Sequence, residues 1–214
     1  RPWNGRLSEE RIASLREVAG DVSRETAERL TEFEARVRHW STRINLAAPS
    51  QLDQLWRRHI LDSAQLVRFA SETRWLDLGS GGGFPGAVVA ILLRDRPEFH
   101  IDLVESNRKK AAFLKTALVA CPCARVHPMR IEEAYPIVKS TQIVTARALA
   151  PLSDLLRLAA PWLTSGARGL FHKGRDYASE IQQARDAWRF HLIEHRSMVD
   201  REGMILEISN LGVR

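Results

Sequence analysis

The residues best equipped for chemistry crowd into one stretch, Leu76-Asp77-Leu78-Gly79-Ser80-Gly81-Gly82-Gly83-Phe84-Pro85-Gly86. Two glycine patterns overlap there. Gly81 to Gly86 fits G-x-G-x-x-G, in which backbone N–H groups at a helix start cradle a dinucleotide's pyrophosphate. Asp77 to Gly83 fits D-x-G-x-G-x-G, a loop for S-adenosylmethionine (SAM). Both ligands carry adenosine, and Glu105, at the end of the next strand-like run, suits either by accepting hydrogen bonds from ribose hydroxyls.

Two residues separate the readings. Pro85 sits where the helix should begin and has no N–H to offer a phosphate. Asp77 puts a carboxylate at the strand end, where it would repel pyrophosphate and attract the ammonium group of SAM. The loop therefore reads as a SAM site built on Asp77, Gly79, Ser80, Gly81 and Phe84, with Glu105 on the ribose. An NAD(P) oxidoreductase is the competing reading.

These residues need a strand before the loop and a helix after it, and the surrounding pattern supplies both. From Arg74 onward, β-rich runs (75–78, 101–105, 125–127, 142–146, 168–172) alternate with helical stretches (86–93, 108–120, 152–163, 177–187). Such alternation predicts an α/β fold, a mostly parallel sheet covered by helices. The end differs: runs at 191–194 and 204–208 are separated by Asp200-Arg201-Glu202-Gly203, too short for a helix, so the last strand is expected antiparallel. Residues 1–70 read as an all-helical extension and 71–214 as the SAM-binding core. One helix is expected from Ser8 to about Val22. A second starts near Ser23, with Ala27, Leu30, Phe33, Val37, Trp40 and Ile44 at helical spacing, and a third carries Leu52, Leu55, Trp56, Ile60 and Val67.

Composition narrows the class. The 214 residues are 44% hydrophobic with a net charge of +6, enough apolar material for a core and a mild basic excess that permits a polyanionic partner. The two cysteines, Cys121 and Cys123, flank Pro122 and cannot staple the fold or complete a zinc site; they read as free thiols in a reducing cytoplasm, and no metal is expected. The longest apolar run, 87–93, is far below the ~20 residues of a membrane span, and the first residues show no signal-peptide pattern.

The order and spacing of several blocks resemble the bacterial small-subunit (16S) ribosomal RNA guanine-N7 methyltransferase family, also called glucose-inhibited division protein B. The blocks are Ile44–Ala48 (INLAA), Arg57–Ser63 (RRHILDS), the glycine loop, Leu103–Leu114 (LVESNRKKAAFL), Arg130–Glu133 (RIEE), Ala146–Leu152 (ARALAPL) and His172–Gly174 (HKG). The likeness spans nearly the whole chain. Glu105 departs from it, since the family often has Asp there. The resemblance implies a seven-stranded Rossmann-like methyltransferase core with a helical N-terminal extension, and methyl transfer from SAM, leaving S-adenosylhomocysteine, to N7 of one guanine in the small ribosomal subunit. It implies a cytoplasmic enzyme, expected to be a monomer, with Gly79 and Phe84 lining the SAM pocket, Ile131 and Glu132 on the adenine side and Arg147 closing the site.

Guanine N7 already carries an in-plane lone pair, so the reaction needs alignment rather than a general base. Arg147, Lys173 and Asn45 are the candidates for that task. Arg147 cannot cover N7 while it reacts. Asn45 either takes part or caps the following helix. His59 reads as a packed, hydrogen-bonded core histidine. Arg57, Arg58, Lys109 and Lys173 are candidate RNA contacts, against the alternative that such charges form a solvated face.

Overall fold

The computed structural model describes residues 7–214. The first helix, α1 (Glu9–Ala19), starts where Ser8 accepts a hydrogen bond from the Arg11 N–H. The second, α2 (Arg24–Ser41), is capped by Ser23 in the same way. Between Pro49 and Arg68 the expected single helix is broken. A 3₁₀ turn (Pro49–Gln54) leads into a π-helical turn (Trp56–Leu61), then α3 (Asp62–Ala64) and a further 3₁₀ turn (Gln65–Arg68). Apolar spacing does not distinguish these from an α-helix, because each keeps Leu55, Ile60 and Leu66 buried.

The chain then alternates: β1 (Arg74–Leu78), α4 (Gly86–Leu92), β2 (His100–Val104), α5 (Arg108–Ala117), β3 (Ala124–His127), α6 (Ile131–Ala134), β4 (Ile143–Arg147), α7 (Leu152–Leu163), β5 (Arg168–Lys173), α8 (Tyr177–Ala187). It closes with the hairpin β6 (Trp188–Arg196) and β7 (Met204–Val213). The seven strands lie in the order β3-β2-β1-β4-β5-β7-β6. β1 to β5 are mutually parallel, and β7 runs antiparallel to both β5 and β6, as the hairpin pattern predicts. The order reverses between β1 and β4. A crevice opens at such a switch, beyond the carboxyl ends of the strands.

Side-chain alternation sorts the core into two layers. Trp75, Ile101, Leu103 and Ile143 face one side and share a single apolar cluster with Leu15, Leu30 and Phe33 of α1 and α2 and with Val88 of α4. Leu76, Leu78, Val104 and Phe171 face the other and pack under α7 and α8. The N-terminal helices thus bury against the sheet side that carries the glycine loop. A fully buried carboxylate, Glu34, ties them together: Arg11 of α1 donates to it at 2.7 Å and Arg38 of α2 at 2.8 Å.

Phe33 sits at this junction, its ring 5.7 Å from that of Phe84 in the loop and 6.3 Å from that of Phe113 in α5. Changing Phe33→Ala should cost about 3–5 kcal/mol and move one cooperative unfolding transition to lower temperature. Calorimetric melting checks this. A two-step melt in which the larger transition stays in place would show that helices and sheet do not fold as one unit.

Candidate active site

Strand β1 delivers Asp77 to the side of the sheet that faces α4. Its carboxylate is wholly buried and does not reach the open cleft. One oxygen accepts from the Thr145 hydroxyl at 2.8 Å and the other from the Gly86 N–H at 3.2 Å. This corrects the expectation that Asp77 meets the ligand's ammonium group directly: burial toward α4 makes it a pin beneath the loop. Only glycine fits above it, since a Cβ on Gly86 would lie 2.5 Å from the Asp77 carboxylate.

Three further N–H groups of the loop and the helix start are also taken. Gly81 N–H donates to Glu105 at 2.7 Å, Gly83 N–H to the Ser80 carbonyl at 2.7 Å, and Ala87 N–H to the Gly83 carbonyl at 2.9 Å. Pro85 has no N–H, so the first turn of α4 offers none of these groups to a pyrophosphate. The dinucleotide reading fails on this geometry.

A cleft of ≈ 510 Å³ lies over the loop. Gly79, Ser80, Gly81, Phe84, Glu105, Ile131, Glu132 and Arg147 all line it, so eight residues singled out in the sequence meet in one place. Glu105 is buried, and each oxygen already accepts one backbone N–H, from Gly81 and from Asn107, both at 2.7 Å. A carboxylate oxygen has two lone pairs, so each retains an acceptor site for a hydroxyl. Phe84, Ile131 and Met129 supply apolar wall. A buried acceptor for a ribose, apolar surface for a base and no phosphate cradle together suit SAM.

The N-terminal region forms the opposite wall. The Leu46 carbonyl packs so tightly on the loop that a Cβ on Gly82 would come within 2.6 Å of it. His59, from the π-helical turn, packs its ring 4.8 Å from that of Phe84, tilted by 45°. Arg147, at the end of β4, donates to His59 Nδ1 at 3.1 Å and to the Arg58 carbonyl at 2.7 Å, and its Nε lies 3.5 Å from Asp62. An arginine can only donate, so His59 carries its proton on Nε2, which faces Gln51 Oε1 at 3.1 Å. Burial, aided by Arg147, lowers the His59 pKa to about 4, and the ring is neutral at pH 7. Its core-histidine reading is half the story: it is packed and bonded, and it also lines the cleft. Beyond Arg147 the chain turns through Ala148, at φ 51, a left-handed conformation that strains a residue with a side chain.

Other candidates lie elsewhere. Lys173 is almost buried; its ammonium group bonds Glu180 at 2.6 Å and the Ala150 carbonyl at 2.7 Å, which corrects its assignment as a free phosphate contact. Lys173 faces a second cavity rather than the cleft. Asn45 is exposed, makes no hydrogen bond among the described residues and does not cap the following turn, whose cap position is Ala48. Arg57 and Arg58 are exposed beside Arg147 and Arg201. Lys109 is exposed on α5; its neighbour Lys110 is the one that lines the cleft. Cys121 and Cys123 are free and buried.

The rRNA small subunit methyltransferase G family model matches residues 26–208. The chain belongs to that family. It is 58% identical over 205 residues to ribosomal RNA small subunit methyltransferase G of Chelativorans sp. (strain BNC1), covering 94% of this chain and 97% of the relative. The protein of the same name from Brucella canis is 57% identical over 204 residues, covering 94% and 95%. Among solved structures, Aeropyrum pernix fibrillarin with natively bound SAM superposes with a TM-score of 0.54 at 18% identity, over 71% of this chain and 75% of that one. A SAM-dependent O-methyltransferase from Thermotoga maritima gives 0.54 at 13%, over 83% and 71%. These two share the fold. The chain is thus a SAM-dependent ribosomal RNA methyltransferase. Among its described residues, no helix is long and apolar enough to cross a membrane.

Asp77 gives a measurable signature. Burial raises its pKa from an ordinary 3.8 to about 6, against the lowering effect of its bonds to Thr145 and Gly86. Between those pH values the folded protein holds a proton that the unfolded chain has lost, so this group's stabilising contribution is full below pH 4 and falls as pH rises. The loss is on the order of 3 kcal/mol. Asp77→Asn is neutral throughout. Its stability relative to wild type should therefore climb from pH 4 to 6 and level off above 7 in denaturant melts. A difference that does not change with pH would contradict the assignment.

Proposed function

We propose that the enzyme methylates N7 of one guanine in the 16S RNA of the small ribosomal subunit, acting as a monomer in the cytoplasm. The observation that carries this reading is that neither buried titratable side chain of the cofactor cleft, Glu105 or His59, is an unoccupied base. Both Glu105 oxygens hold backbone N–H groups, and the basic nitrogen of His59 is occupied by Arg147. Such a cleft suits a nucleophile that has no proton to lose, and N7 is one. Bound SAM supplies an electrophilic methyl carbon whose bond to sulfur breaks as a lone pair attacks it.

In this reading Glu105 holds the ribose, Ile131 and Glu132 flank the adenine, and Gly79, Ser80, Gly81 and Phe84 shape the floor. Asp77 acts at one remove by fixing the loop. Arg147 aligns rather than transfers protons. Its bonds to His59, the Arg58 carbonyl and Asp62 leave one N–H on each terminal nitrogen for substrate or cofactor. Lys173 and Asn45 take supporting places, Lys173 through Glu180 and Asn45 at the exposed rim. Arg57, Arg58 and Lys109 offer charge to phosphates. Within the 1–70 extension, the described residues 7–70 complete the cleft of the 71–214 core.

Two measurements test the roles. Glu105→Ala should weaken S-adenosylhomocysteine binding at least about tenfold, because hydrogen bonds to a charged group are each worth roughly 1.5–3 kcal/mol; unchanged affinity in a folded variant would remove Glu105 from the ribose. Single-turnover methylation of small-subunit particles should stay nearly flat from about pH 6.5 to 9. Arg147→Ala should slow it by about tenfold to a hundredfold without adding a pH dependence. A unit slope of log rate against pH in the wild type would mean that a proton leaves the target, and the N7 assignment would fall.

A further inference from the structure

Elsewhere on the surface arginines are answered by carboxylates, as Arg24 is by Glu9 and Arg175 by Glu202. Two arginines near the cleft are not. Arg58, on the π-helical turn, and Arg201, in the turn between β6 and β7, are exposed, and among the described residues neither side chain makes a hydrogen bond or an ion pair. Both line one surface concavity of ≈ 530 Å³, together with Gln51, Arg57 and Arg147. Gln51 and Arg147 also line the cofactor cleft, so the concavity adjoins it. Burial lowers the pKa of Arg147 and of His59, and the Arg58 charge adds to the lowering at both, which puts its guanidinium near that border. Two carboxylates share the concavity. Asp62 is buried beside Arg147, and Asp200 Oδ1 accepts the Glu202 N–H at 3.1 Å. Like charges gathered in this way repel one another until an anion joins them.

The turn that carries Arg201 is fastened to the segment that carries Arg57 and Arg58. Asp62 Oδ1 accepts from Gln65 Nε2 at 2.8 Å and from the Ser197 hydroxyl at 3.3 Å. The Met198 N–H donates to Gln65 Oε1 at 3.0 Å, and Ser197 Oγ accepts the Val199 and Asp200 N–H groups at 3.1 and 3.0 Å. Arg57 reaches across to the Val199 carbonyl at 3.5 Å. An exposed hairpin tip is ordinarily the loosest part of a sheet. Here polar bonds, several of them buried, fix it, so the arginines are placed before anything binds and less ordering is lost on binding.

We propose that Arg57, Arg58 and Arg201 form one preorganised seat for backbone phosphates of the RNA strand that carries the target nucleotide, an inference that rests on the phosphate role given above to Arg57 and Arg58 and adds Arg201 to it. The base to be methylated must enter the cleft, but the loop beneath it offers no phosphate cradle, so the strand's phosphates stay at the rim. The concavity lies on that rim. A guanidinium fork matches two phosphate oxygens at once, and Arg58 and Arg201 both have theirs free.

The salt dependence of binding to unmethylated small-subunit particles tests this. Each phosphate contact removed should flatten the slope of log affinity against log salt by about 0.7 to 0.9. Arg201→Ala should do so and weaken binding severalfold at low salt, with S-adenosylhomocysteine affinity unchanged. Arg201→Lys should keep most of the slope, since the charge remains. Arg24→Ala, which removes an exposed arginine of α2 outside the concavity, sets the background for losing one positive charge. A slope for Arg201→Ala no flatter than that for Arg24→Ala, while Arg57→Ala and Arg58→Ala do flatten it, would overturn the inference alone. If none of the three flattens it, the phosphate role of Arg57 and Arg58 falls as well, so the two failures are distinguishable. Weaker binding by Arg201→Ala with an unchanged slope would assign Arg201 to a protein surface of the particle and would equally overturn the inference.

Discussion

Two buried carboxylates hold the glycine loop by its own backbone, and the site depends on that arrangement. Asp77, in β1, takes the Gly86 N–H at the start of α4, and Glu105, just past β2, takes the Gly81 N–H. The loop is pinned at both ends from adjacent parallel strands. The same bonds decide what it can bind. Donors that would face a phosphate in a dinucleotide fold are turned onto protein acceptors, and Pro85 removes another. The remaining capacity of the site is acceptor capacity at Glu105 and apolar surface around it. The cost appears at Asp77, where burial drives the carboxyl toward its neutral form.

The opposite wall belongs to the N-terminal region. The π-helical turn Trp56–Leu61 brings His59 over Phe84 and sends the Arg58 carbonyl toward Arg147, while Asp62, at the start of α3, faces the same guanidinium. Arg147 is thereby a hinge pin between the sheet and the helical segment, and it stands between the two cavities. Its anchoring also sets the tautomer and charge of His59. A change at any of Asp62, His59 or Arg147 therefore reaches the others.

Much of this was legible from residue order. The parallel strands, α7 and α8 emerge from the alternation of short β-rich runs with helical spacing, since the buried faces have those periods. Of the eight residues that meet in the cleft, those of the glycine loop and Glu105 were visible as local sequence features, whereas Ile131, Glu132 and Arg147 came only through the family resemblance. Other features were not legible. The helix expected over Leu52–Val67 breaks into tighter and wider turns that preserve the same buried positions. The four residues of α6 are too few to show a period. Partners distant in sequence hid the rest: Lys173 is neutralised by Glu180 on α8, Asp77 is roofed by Gly86 and walled by Thr145, and His59 is matched to Arg147 only in three dimensions.

The central claim is that the Gly81, Gly83 and Gly86 N–H groups are turned onto protein acceptors and Pro85 has none, so the cleft takes an adenosine ligand without phosphates. Calorimetric titration of the same protein with S-adenosylhomocysteine and with NADH tests it most directly. S-adenosylhomocysteine should bind with one-to-one stoichiometry, and NADH should give no binding heat at the same concentrations. Binding of NADH that S-adenosylhomocysteine fails to displace, or binding of NADH alone, would contradict it.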